Sequence, residues 1–126
     1  ALEGTAYEIE FMRKRAEELL GRSIERVVAT GGGTKLQRWM QIKADISGCP
    51  YEIAQTAEAV LLGAAMVAGM GAGIFQNLED AASAMGRPPS GVYTPDEGRH
   101  ERYQTVFDRY YLTIQEPVRQ LHRAGF

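Results

Sequence analysis

The chain has 126 residues, of which 44% are hydrophobic and 24% charged, as is typical of one soluble globular domain and not of a disordered or fibrous protein. Its 14 basic and 16 acidic residues are mixed along the sequence and leave a net charge of −2, which argues against nucleic acid or a membrane as partner. The single cysteine, Cys49, cannot form an internal disulfide, and no secretory leader is recognisable, so we expect a cytoplasmic protein.

The first segment predicts a helix. From Leu2 to Leu19 the apolar residues recur with helical spacing, and Gly21 is placed to end the helix. The charged residues between the apolar positions are expected on the solvent side: Glu10, Lys14, Glu17 and Glu18.

The next thirty residues predict the order strand, turn, helix, strand. Ile24 to Thr30 is short and rich in β-branched residues, which predicts a buried strand that runs into a turn at Gly31 to Gly33. A helix is expected from about Thr34 to Ser47. Gly48 to Pro50 ends it, and Tyr51 to Ile53 forms a short extended segment.

Two further helices are expected in the middle of the chain. Thr56 can cap a helix over Ala57 to Met70, whose small residues predict a close-packed position in the core. The charge-free stretch Ala59 to Phe75 is too short and too rich in glycine for a membrane span. Asn77 is placed to cap a brief helix that ends at Met85.

The last part predicts a surface loop followed by a long helix. The loop covers Gly86 to Gly91, and Thr94 with Pro95 after it is typical of a helix start. Pro117 should kink the helix near Thr113. The expected apolar stripe of this helix consists of Tyr103, Phe107, Tyr110, Ile114, Val118 and Leu121.

The glycine turn is the candidate binding site. Gly31, Gly32 and Gly33 lie between an apolar strand and a helix, where glycine permits positive φ angles and lets a ligand touch the main chain. Amides at a helix start favour anions or polar ligand edges. A turn with no ligand explains the same spacing, so the glycines alone leave both interpretations open.

The residues after the turn also have two interpretations. Thr34 and Gln37 fit a capping box, in which the glutamine bonds back to the helix start, but the Gln37 amide could instead contact the edge of a base. Trp39 lies on the apolar stripe, which favours a core position over a stacking platform.

Residues for catalysis or metal binding are not grouped in this sequence. The aspartates, Asp45, Asp80, Asp96 and Asp108, lie on or at the start of predicted helices, and none follows a glycine-rich phosphate turn. His100 and His122 are far apart on a predicted surface helix and are expected to be solvated. We therefore predict no catalytic residue and no metal ligand.

Five motifs in order resemble the C-terminal end of the FGGY carbohydrate kinases. Each motif alone is weak, but their order over nearly the whole chain makes the resemblance specific. The matching segments are Ala1 to Tyr7, Ala29 to Thr34, Trp39 to Asp45 with Gly48 to Pro50, Glu58 to Ala65, and Tyr93 to Asp96.

The resemblance implies an α/β fold, namely part of an actin-like, ribonuclease H-like ATPase domain with helices flanking a short, mostly parallel sheet. It also implies ATP and Mg²⁺ as cofactors, with nucleotide contacts at Gly31, Gly32, Gly33, Thr34 and Gln37, the glutamine lying against adenine. Residues 1–126 would be the adenosine-binding portion of the C-terminal domain. The N-terminal domain, the phosphate loops and the first strands of this domain would be absent.

The implied activity is transfer of the ATP γ-phosphoryl group to a hydroxyl of a pentulose or related sugar or polyol, with this chain inactive by itself. The alternative is a nucleotide-responsive or interaction module without catalysis. The resemblance also implies that the first strands of the domain are missing, which leaves the apolar strand from Ile24 to Thr30 with an open edge and predicts a homo-oligomer.

Overall fold

The computed structural model describes residues 2–56 and 58–125, and within them it has six α-helices and three short strands. The elements are α1 (Leu2–Leu20), β1 (Val27–Ala29), a 3₁₀ turn (Gly32–Lys35), α2 (Gln37–Ser47), β2 (Tyr51–Ile53), α3 (Ala59–Gly71), α4 (Leu78–Met85), β3 (Gly91–Tyr93), α5 (Glu97–Val106), a π-helical turn (Phe107–Tyr111) and α6 (Leu112–Arg123). The ends of the chain at Ala1 and Phe126 and the predicted helix start at Ala57 lie outside the described residues.

The sheet is mixed and has the strand order β1-β2-β3. β1 pairs in parallel with β2, with Val27 opposite Tyr51, and β2 pairs antiparallel with β3, with Tyr51 opposite Tyr93. The predicted α/β class is confirmed, although the sheet is less parallel than expected because β3 was missed. Gly91 to Tyr93 follows a glycine- and proline-rich loop and has no strand pattern of its own. The sequence did not predict β3 because this strand depends on its pairing with β2.

The larger core joins α1, α2 and the π-helical turn. Ala6, Tyr7, Ile46 and Phe107 are buried together. The Phe107 ring stacks on Tyr111 with centroids 5.3 Å apart and lies 6.0 Å from Tyr7. Burial raises the pKa of Tyr7 to about 12. The C-terminal helices are therefore held on α1 by aromatic packing.

A second cluster ties α2 to the sheet. Ala44 of α2 is buried with Cys49 and Tyr51, and Val27 and Tyr93 pack against them from the neighbouring strands. Burial raises the pKa of Tyr51 to about 12. Because α2 contributes to both cores, its position is fixed from two sides, and so is the turn from which it starts.

Glu10 was expected in solvent, and this was wrong, since only 1% of it is exposed. Arg13 donates to both of its carboxylate oxygens, at 2.8 and 2.9 Å, and to the carbonyl of Ser47 at 3.3 Å. Glu17 accepts from Arg13 and from the backbone N–H of Ile24. A buried carboxylate requires such partners, and here they fasten the end of α1 to α2 and to the loop before β1.

The predicted core position of α3 was wrong for the described part of the chain. Gly69 is its buried residue, in contact with Phe75, while Val60 is 85% exposed. Small residues permit close packing but do not supply a partner. The N-cap of α3 is Glu58, whose backbone N–H donates to Thr56 Oγ1 at 3.3 Å. Among the described helices, none is both long and apolar enough to cross a membrane.

Helix α4 confirms the prediction, because Asn77 caps it by accepting from the Asp80 N–H at 2.9 Å. The last helix differs from its prediction. Asp96, and not Thr94, is the N-cap, accepting from the Arg99 N–H.

The π-helical turn at Phe107–Tyr111 precedes Pro117, which lies inside α6, so the regular hydrogen bonding changes before the expected kink at Thr113. The wider turn shifts the residues after Phe107, so that Tyr111 packs on Tyr7 while Tyr110 is 58% exposed. The remainder of the predicted stripe is exposed, namely Ile114, Val118 and Leu121.

Candidate functional site

The glycine turn lies at the carboxyl end of β1, and its shape requires glycine at its first position. Gly31 has φ +86° and ψ −176°, a conformation that residues with a Cβ rarely adopt. The Thr34 N–H and hydroxyl both donate to the Gly31 carbonyl, at 3.1 and 2.7 Å. The turn is therefore closed by its own hydrogen bonds.

Helix α2 begins at Gln37, three residues later than expected, and its N-cap is Leu36 with no side-chain cap. The predicted capping box of Thr34 and Gln37 was wrong, because Thr34 bonds back to Gly31 within the 3₁₀ turn. The Gln37 side chain is exposed, and no hydrogen bond to it is seen within the described part of the chain. Its amide is thus available to a ligand.

Two adjoining hollows flank the turn. They share Thr34, Lys35, Ile53 and Ser90. The first, of ≈ 410 Å³, is also lined by Gln37, Gly91, Val92 and Tyr93. The second, of ≈ 370 Å³, is also lined by Gly31, Gly32, Ala54, Gln55, Thr56 and Glu58. Four of the five predicted site residues thus border the hollows, while Gly33 lies against Trp39.

A larger hollow, of ≈ 860 Å³, lies at the opposite end of β1 and β2, between residues 20–26 and Pro50. In open α/β sheets, ligands bind beyond the carboxyl ends of the parallel strands, where the glycine turn lies. We therefore assign the candidate site to the glycine turn, although its hollows are smaller.

Residues 1–72, more than half of the chain, match the family described as FGGY family of carbohydrate kinases, C-terminal domain. The chain belongs to the FGGY family. Over 92 residues, 73% of the chain, it is 40% identical to an autoinducer-2 kinase from Escherichia coli strain K12, of which that stretch covers 17%. The chain thus spans less than a fifth of this relative's length.

Solved structures show the same fold for this FGGY chain. A xylulose kinase from Rhodospirillum rubrum matches 96% of the chain with a TM-score of 0.74 and 24% identity, over 24% of its own length. A Plasmodium falciparum glycerol kinase solved with ADP matches 90% of the chain with a TM-score of 0.72 and 24% identity, over 23% of its length. The predicted actin-like ATPase fold is confirmed.

Acidic groups of the FGGY chain do not form a metal site in the described residues. Within 2–56 and 58–125, no three His, Cys, Asp or Glu side chains lie together. Of the acidic groups, Glu58 borders a hollow beside the turn, whereas the Asp80 carboxylate accepts from the backbone N–H of Gln76. We therefore assign Mg²⁺ to none of the described residues.

Asp45 is a buried carboxylate that joins α2 to the start of α5, and this role was not predicted from the sequence. Only 2% of it is exposed, and its carboxylate accepts from Gln41 Nε2 at 2.9 Å, the Asp96 N–H at 2.9 Å and Arg99 Nε at 2.7 Å. The signal was its place between Ala44 and Ile46 on the buried side of α2, where a carboxylate requires partners.

His100 was expected to be solvated, and this was wrong, because it is partly buried with Nδ1 2.8 Å from the Asp45 carbonyl. His122 is exposed, as predicted. Together with Arg99, His100 joins α5 to the last turns of α2. These polar contacts stabilise the helix that starts at the glycine turn and lie outside its hollows.

Proposed function

We propose that this chain is the adenosine-binding portion of the C-terminal domain of an ATP-dependent FGGY kinase. The kinase would transfer the ATP γ-phosphoryl group to a hydroxyl of a pentulose or related sugar or polyol. The observation that carries the proposal is the turn at the carboxyl end of β1, with Gly31 at φ +86° and hollows on both sides.

The turn suits an adenine nucleotide for three reasons. At Gly32, an added Cβ would meet nothing within 4 Å, so the main chain there is open to an approaching ligand. The Gln37 amide, at the start of α2, offers both a donor and an acceptor to the edge of a base. Lys35 borders both hollows and adds a positive charge for an anionic ligand.

The acceptor is proposed only as a class. The relatives and neighbours named above are kinases of autoinducer-2, xylulose and glycerol, three different substrates. Mg²⁺ would accompany ATP, as is general in phosphoryl transfer, held mainly by groups that do not belong to this chain. Membership in a kinase family does not favour the alternative of an interaction module without catalysis.

Titration of the 126-residue chain with AMP, ADP and ATP, followed by NMR, tests this function. We expect shifts clustered between Thr30 and Gln41, with similar affinities for the three nucleotides because the contacts proposed are to adenosine. In the same samples we expect no phosphoryl transfer to pentuloses or polyols, since no described residue is placed as base or phosphate clamp. Shifts centred on the hollow beside Pro50 would contradict the assignment.

Replacement of Gly32 by valine gives a sharper test. An added Cβ there meets nothing within 4 Å, and φ at this position is not positive, so we expect the fold to be kept while the valine side chain blocks ligand approach. We expect the dissociation constant for ADP to rise by at least about tenfold, equivalent to ~1.4 kcal/mol. The matched control is Gly4→Val, which is equally unobstructed but lies in α1. Equal ADP binding by both variants would refute the site.

Self-association is also proposed. Within the described residues, β1 pairs only with β2, so its other edge has unpaired backbone groups, and Val28 on it is 56% exposed. We expect light scattering at tens of micromolar to show a dimer and Val28→Lys to give a monomer, with Val60→Lys on α3 as control. A monomeric wild-type chain would contradict this proposal and leave the nucleotide site untouched.

A further inference from the structure

Trp39 contacts the glycine turn from the first turns of α2. A Cβ added at Gly33 would lie 2.8 Å from Trp39 Cζ3 and 3.6 and 3.8 Å from the two ring carbons beside it. The distance to Cζ3 is the shortest, and the distances to its two neighbouring carbons are nearly equal to each other. The added Cβ would therefore approach the edge of the ring. The indole edge thus occupies the space that a side chain at position 33 would need.

The structure requires glycine at two of the three positions of the turn, and for different reasons. Gly31 is required by its φ of +86°, whereas a Cβ added at Gly32 would meet nothing within 4 Å. Gly33 has no positive φ, and the obstacle to a larger residue there is the Trp39 ring. Glycine is therefore required at position 33 by a neighbouring side chain, and not by its backbone conformation.

Lys43 holds the ring from its face. Its Nζ lies 3.4 Å from the centroid of the Trp39 ring, within the range of a cation–π contact. Burial lowers the pKa of Lys43, as expected for an ammonium group taken partly out of water. The indole is thus restrained at its face by Lys43 and at its edge by Gly33.

The indole N–H gives a reason to look for a role beyond stability. Trp39 Nε1 is buried and has no hydrogen-bond partner among the described residues. An unpaired buried donor is unfavourable, and an aromatic or aliphatic side chain without a donor would avoid that cost. What the indole supplies is its size, which reaches from α2 to the turn.

We propose that Trp39 is a positioning residue for the adenine nucleotide, acting through Gly33. The ring, restrained by Lys43, fixes the position of the Gly33 backbone, and adenosine would lie on this part of the turn. The ring itself would not touch the nucleotide. This inference rests on the proposed function, but the contact on which it depends can be measured without a ligand.

A double-mutant cycle tests the contact. Gly33→Ala is expected to lower the unfolding temperature of the 126-residue chain, because the new methyl group meets the indole edge. In a Trp39→Leu background the same change is expected to have little further effect, since the obstacle is gone. Gly32→Ala is the matched control and should leave the unfolding temperature unchanged in both backgrounds. Additive effects of Gly33→Ala and Trp39→Leu would overturn the proposal.

Nucleotide affinity tests the positioning role. We expect Trp39→Leu to weaken AMP binding about tenfold, and Trp39→Phe, which loses no hydrogen bond and keeps an aromatic edge, to restore most of the affinity. Trp39 is the only tryptophan in the chain, so AMP should also change the fluorescence of the wild type. Equal AMP affinity in the wild type and Trp39→Leu would overturn the role. Absence of AMP binding by the wild type would instead refute the proposed function, whatever coupling the cycle shows.

Discussion

Replacement of Phe107 by alanine is expected to lower the free energy of unfolding by about 3–5 kcal/mol. The Phe107 side chain is 0% exposed and stacks on Tyr111, and the centroid of its ring lies 4.6 Å from Lys14 Nζ. We expect its loss to leave a cavity between α1 and the π-helical turn. Small domains have ~5–15 kcal/mol of stability in total, and much of it would be lost. Urea unfolding followed by circular dichroism measures the change.

Tyr110→Ala is the control for this prediction. Tyr110 lies in the same π-helical turn and was expected in the apolar stripe, but it is 58% exposed. Its replacement should change the free energy of unfolding by no more than about 0.5 kcal/mol. Equal losses in the two variants would mean that the helix follows the predicted α-helical stripe and not the observed π-helical turn.

Replacement of Asp45 by asparagine should destabilise the chain by about 2–3 kcal/mol, although the two side chains have the same shape. The carboxylate accepts from three donors, and an amide has only one acceptor oxygen, so its NH₂ group must face at least one donor. Arg99 is half exposed and can turn to water, which keeps the loss below that of a fully buried ion pair. Urea unfolding gives the size of the effect.

Amide hydrogen exchange shows which part of the chain is destabilised by Asp45→Asn. The amides at the start of α5 should lose protection in Asp45→Asn, because the Asp96 N–H and Arg99 are bound by this carboxylate. Asp108→Asn is the matched control, since Asp108 is exposed and lies 4.0 Å from Lys14, and it should change stability by less than about 0.5 kcal/mol. Unchanged protection of α5 in Asp45→Asn would contradict the assigned role.

Local signals predicted most of the elements. The spacing of apolar residues predicted α1, the cap at Asn77 predicted α4, and the glycines after β1 predicted a turn. Helix starts were less predictable, because Thr34, Thr56 and Thr94 all resemble caps while Leu36, Glu58 and Asp96 hold those positions. A cap depends on backbone angles that several neighbouring residues could adopt, so position along the chain does not select one.

The candidate site was predicted in part. The glycines and Gln37 were proposed as ligand contacts from residue type, order and family resemblance, because glycine conformation and amide chemistry are local properties; their contact with a nucleotide stays a prediction. The role that we propose for Trp39 was not predicted, since its proximity to Gly33 depends on how the first turns of α2 approach the turn. Contacts between residues on different elements need the tertiary structure.

The sequence by itself determined the family, the α/β class and the glycine turn, because these follow from short local motifs and their order along the chain. Only the tertiary structure decided which polar groups are buried and which apolar groups remain exposed. Glu10 and Asp45 are buried because Arg13 and Arg99 reach them. Apolar character creates a preference for burial, but a neighbouring element must supply the surface against which the side chain packs. The Val60 side chain on α3 is exposed because no described element supplies that surface.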